Sequence, residues 1–86
     1  MRSMPVNDEA GKLRILSAGE PFYVIKHRDA EYIEILLSGR ATVMHTDWLH
    51  ASWWTTREDA QREIAESVRH IYTVHEIQIR EEKIEQ

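Results

Sequence analysis

Five histidines (His27, His45, His50, His70 and His75) and three tryptophans (Trp48, Trp53 and Trp54) are the side chains here with the most chemistry to offer. His45 and His50 stand five apart with Asp47 between them, and His70 and His75 repeat that spacing. Two ligands on one helix face need a spacing of four, as in H-E-x-x-H, and the chain has no such pair. With no cysteine to supply a thiolate, the histidines point to no metal site and no cofactor, but to ordinary half-buried or surface imidazoles. The chain also lacks the G-x-S-x-G elbow, the phosphate-binding P-loop and the G-x-G-x-x-G turn. Its adjacent carboxylates, Glu58-Asp59 and Glu81-Glu82, read as solvated surface. No catalytic residue is assigned, and the expectation is a protein that is not an enzyme.

The tryptophans carry a different possibility. They fall within seven residues, in a chain only 8% aromatic. Clustered indoles anchor interfaces or stack on ligands, and equally they fill cores. Trp53 and Trp54 must face opposite ways along an extended chain, so one small core should not bury both, and at least one indole is expected to be partly exposed. Arg57, Glu58 and Asp59 follow at once and give that patch a charged rim. The candidate partner-binding residues are therefore Trp48, His50, Trp53, Trp54, Arg57, Glu58 and Asp59. Within that set, Glu58 and Asp59 would select a basic partner.

These residues must be positioned by helix and strand. Thr55 with Glu58, or Thr56 with Asp59, can cap a helix start. Ala60, Ile64, Val68 and Ile71 then recur at steps of four, four and three, which predicts one helix across 53–71. Upstream, residues 22–27 alternate Phe22 and Val24 against Tyr23 and Ile25, a central strand apolar on both faces. Residues 31–37 and 41–46 read as two further strands joined by the Ser38-Gly39 turn, and 72–80 as another. Residues 13–17 read as a short edge strand, with Gly19 and Pro21 in the turn after it. Residues 47–52 fit either a continued strand or one helical turn.

The expected architecture is α+β: a three- to five-stranded antiparallel β-meander with one α-helix on one face, in the order β-β-β-β-α-β. Residues 1–11 are expected to be a flexible arm, 12–80 the single domain, and 81–86 a charged tail. One helix covers one face only. Tyr23, Ile25, Tyr32, Leu36 and Met44 then need a second cover, from the segment around Trp48 or from a second copy in a homodimer.

Charge narrows the partner. Fifteen acidic residues outnumber eleven basic ones, for a net charge of −4. Nucleic-acid affinity rests on clustered Lys and Arg, which this chain lacks, so direct nucleic-acid binding is disfavoured. The apolar runs are far shorter than the ~20 residues of a membrane span, and the first residues lack the apolar core of a signal peptide, so a cytoplasmic location is expected. In size, charge and layout the chain resembles the small acidic accessory and inhibitor proteins of viruses and mobile elements, anti-CRISPR proteins among them. That resemblance implies a non-enzymatic protein that binds and modulates or inhibits a macromolecular, most simply a protein, partner. The alternatives are a small-molecule binder with a Trp-lined pocket at a dimer interface, and a small enzyme subunit.

Overall fold

The computed structural model describes residues 4–28, 30–36, 41–64 and 70–79. Helix α1 spans Glu9–Ala18, strands β1, β2 and β3 span Phe22–His27, Glu31–Leu36 and Ala41–His45, helix α2 spans Arg57–Arg62, and β4 spans Tyr72–Ile77. The four strands form one antiparallel sheet in the order β3-β2-β1-β4. The α+β class and the meander of β1 to β3 match the sequence reading, but the element order does not. A helix opens the fold, and two helices serve the sheet instead of one.

The first helix replaces the expected edge strand over 13–17. Asp8 caps it by accepting from the Gly11 backbone N–H at 2.9 Å, and Gly19 ends it in the left-handed conformation at φ 67°. Its inward face is Lys12, Ile15 and Leu16, a helical spacing of three and four. Val6 and Asn7 also belong to the fold: Val6 exchanges both main-chain hydrogen bonds with Trp53, at 2.8 and 3.1 Å. The arm expected over 1–11 is thus bonded structure from Val6 onward; residues 1–3 lie outside the described residues.

The expected helix over 53–71 is also revised. Thr56 is its cap, accepting from the Asp59 N–H, and the described helix runs Arg57–Arg62. Trp53 and Trp54 precede it as extended chain, and Ile71 lies in the turn before β4. Val68 in the proposed apolar stripe, the Ser38-Gly39 turn and the charged tail all lie outside the described residues.

An inserted segment organises the sheet. Strands β1 and β2 pair at their turn end, with Lys26 opposite Tyr32 and His27 opposite Glu31. Beyond that point residues 51–54 enter. Trp54 exchanges main-chain bonds with Tyr23 of β1 at 2.8 and 3.0 Å, while Ser52 N–H donates to Ile33 O of β2 at 3.0 Å. The Ser52 hydroxyl accepts from Ile35 N–H at 2.8 Å and donates to Asn7, whose amide donates to Ile35 O at 2.9 Å. All four residues of the insert are buried.

Because neighbours in an extended chain point opposite ways, the insert delivers one indole to each side of the sheet. Trp53 joins Ile15, Phe22, Val24 and Ala51 under α1. Trp54 joins Ile25, Ile33, Ala60 and Ile64 under α2. The expectation that both could not be buried fails, because there are two small cores, not one. Trp48 is the half-buried indole of the three, tilted against Phe22 and Trp53. The face of Phe22 and Val24 is therefore covered by α1 and by the segment around Trp48, and that of Tyr23 and Ile25 by α2, while Met44 of β3 stays 43% exposed.

Ile15 is 8% exposed and Leu13 55%, so the two discriminate helix from strand. Ile15→Asp, which buries a charge, should unfold the domain or cost more than about 3 kcal/mol. Leu13→Asp should change stability by less than about 0.5 kcal/mol. Thermal melts that treat the two alike contradict the helix.

Candidate functional site

Between α1, strands β2 and β3, and the loop after β3 lies an open cleft of about 510 Å³. Leu13 and Leu16 of α1, Leu49 of the loop and Trp53 form its apolar walls. Its polar lining comes from Asn7, Glu9, Lys12, Glu34, His45 and His50.

Lys12 builds the cleft. Its buried ammonium donates to the carbonyls of Leu49 and Ala51, both at 2.6 Å, and sits 5.1 Å from the Trp53 ring centroid. It thereby fastens α1 to the loop that forms the opposite wall. Burial lowers its pKa below the ordinary lysine value, while the nearby carboxylates of Glu34, Asp47 and Asp8 oppose that shift.

Two imidazole–carboxylate pairs stand beside it. His45 Nε2 meets Glu34 Oε1 at 2.8 Å across β2 and β3, with both side chains about three-quarters covered. His50 Nδ1 meets Asp47 Oδ1 at 2.7 Å in the loop, and the His50 backbone N–H donates to the same oxygen at 3.2 Å. The His50 hydrogen bond holds the exposed Asp47 carboxyl below its ordinary value. The two rings stack, with centroids 5.6 Å apart and planes 28° from parallel. Among the described residues no three His, Asp or Glu side chains are grouped so as to hold a metal ion.

The seven residues proposed from sequence do not form one surface. His50 and Trp53 line the cleft, and Trp48 packs behind it, its carbonyl accepting from Trp53 Nε1 at 2.8 Å. Trp54 is buried under α2 on the other face. Arg57, Glu58 and Asp59 lie in α2, where Arg57 sits 5.7 Å over the Tyr23 ring and Asp59 pairs with Arg62 at 3.3 Å. Sequence reasoning missed Lys12, Glu34, Leu13 and Leu49. Lys12 lay between the expected arm and the expected edge strand, Leu13 lay in that strand, and Glu34 comes from a distant element that spacing alone does not bring to His45.

No protein-family model, curated protein or solved structure compared with the chain matches it. Among the described residues no helix is long and apolar enough to cross a membrane. The functional argument therefore rests on the cleft.

Two measurements test its construction. Lys12→Met keeps the apolar stem but leaves the buried Ala51 carbonyl and the half-buried Leu49 carbonyl without this donor, and should cost about 2 kcal/mol in denaturant unfolding. In an NMR pH titration, Asp47 should titrate below the ordinary 3.8 in the native protein and move back up in His50→Phe. The sign follows from a depressed carboxyl: its contribution is present above the ordinary value and is lost as the pH falls through the lowered one.

Proposed function

We propose that this chain is a small, acidic, non-enzymatic binding protein that docks a protein partner at the α1–loop cleft and so modulates or inhibits it. The supporting observation is the pair of leucines on the cleft walls, Leu13 at 55% and Leu49 at 52% exposure. Neither is needed to fill a core, and together they flank a concavity with an apolar side, the arrangement that marks an interaction surface. The net charge of −4 favours a basic partner over a nucleic acid. A cytoplasmic protein acting as a monomer or homodimer fits this role equally well.

The experiment is affinity capture from the source cell with the wild-type chain and three variants as bait. Leu13→Asp and Leu49→Asp should each lose the partner while melting like the parent. Glu58→Lys, on the opposite side of the sheet, should retain it. Loss in Glu58→Lys with retention in both leucine variants would instead move the interface to the start of α2.

A second reading has one observation in its favour. A cleft of about 510 Å³ falls within the range of small-ligand sites, and Trp53 lines it. A bound small molecule would quench or shift Trp fluorescence at saturation, with no protein retained on the bait.

A further inference from the structure

The cleft's polar atoms are not a random mixture of donors and acceptors. A carboxylate only accepts hydrogen bonds, so the imidazole nitrogen facing it carries the proton. Glu34 therefore sets His45 as the Nε2–H tautomer, and Asp47 sets His50 as the Nδ1–H tautomer. In each neutral ring the other nitrogen, Nδ1 of His45 and Nε2 of His50, is left as a bare acceptor. Glu9 and Glu34 add carboxylate oxygens to the same lining. Besides the histidines, the donor-bearing side chains of the wall are engaged elsewhere: Lys12 with the carbonyls of Leu49 and Ala51, Asn7 with that of Ile35, and Trp53 Nε1 with that of Trp48. What the cleft offers a ligand is acceptors, two negative charges and leucine walls.

From this we infer that the cleft receives an arginine side chain of a protein partner. The inference rests on the reading of the cleft as a docking surface and names what docks there. A guanidinium presents five N–H donors in a fixed plane on an aliphatic stem, matching an acceptor rim above apolar walls. A small free cation would leave the outer parts of Leu13 and Leu49 in water, whereas a protein carrying the arginine would cover them. The negative charge of the whole chain adds long-range attraction of the same sign.

The test is an amide NMR titration of the whole chain with capped pentapeptides, Gly-Leu-Xaa-Leu-Gly, in which Xaa is arginine, its neutral isostere citrulline, or glutamate. Free butylguanidinium is the fourth probe. At pH 7.5 the arginine peptide should shift the amides of Leu13, Leu49 and His50 and bind at least fivefold more tightly than the citrulline peptide. The glutamate peptide should be weaker still, and butylguanidinium weaker than the arginine peptide. His50→Phe should weaken arginine-peptide binding severalfold at pH 7.5 while keeping the native dispersion of its amide spectrum. Equal affinity for arginine and citrulline overturns the inference but leaves the cleft a docking surface. Butylguanidinium binding as tightly as the peptide overturns the protein source. Silence of the cleft amides toward all four probes removes the docking reading itself.

Discussion

Everything in this fold depends on the four-residue insert that parts β1 from β2. A two-stranded pairing left unfinished would strand main-chain donors and acceptors inside the protein, at a cost of about 1–3 kcal/mol each. Residues 51–54 prevent this on both sides at once, bonding to Tyr23 across one edge and to Ile33 across the other. The same residues then reach out of the sheet to Val6 and, through the Ser52 hydroxyl, to Asn7 and Ile35. The chain before α1 is held by nothing printed in its own composition; it is held because the insert offers it an edge. Remove the insert and the sheet splits, both tryptophans leave their cores, and α1 loses the surface on which Ile15 rests.

The alternation of an extended chain explains how so small a protein covers both faces of its sheet. A domain of this size buries only about 60% of its unfolded surface, so each large side chain matters. Trp53 stacks on Phe22 with ring centroids 3.8 Å apart and planes 13° from parallel, and its N–H reaches the Trp48 carbonyl. Trp54 fills the opposite core, where its indole N–H has no hydrogen-bond partner among the described residues. An aromatic pair at adjacent positions is an economical way to seal two thin cores with one segment.

The sheet was legible in the sequence, because period-two alternation survives whenever a strand has an apolar face. The assignments of β1, β2, β3 and β4 needed nothing more than Phe22 against Tyr23, Ile33 against Glu34, and Tyr72 with Val74. Helix α1 was hidden by one residue. Its inward stripe is Lys12, Ile15 and Leu16, and a lysine counted as polar reduces that stripe to Ile15 and Leu16, while Leu13 and Ile15 imitate a strand. The caps carried the missing signal, since Asp8 and Gly19 bracket the ten helical residues. The Trp segment was recognised as unusual and its opposed facing was deduced. What the sequence could not show was that a second helix supplies the second core. The cleft was half visible: His45, Asp47 and His50 stand close in the chain, but Glu34 and Lys12 reach them only through strand pairing and a buried ammonium.

Lys12 joins the fold to the site, and its chemistry explains why the cleft has the polarity it does. An ammonium taken from water must be compensated, and here the compensation comes from two loop carbonyls and an aromatic face, not from a carboxylate in direct contact. Glu34 is close enough to be felt electrostatically, yet its oxygen is committed to His45. The positive charge is thus turned inward to hold the loop, and the negative charges remain outward on the cleft. Had Lys12 paired with Glu34, the loop carbonyls would lose their donor and His45 its fixed tautomer. The lining would then become neutral and indifferent to what docks. Architecture and ligand polarity are set by the same choice of partner for one buried amine.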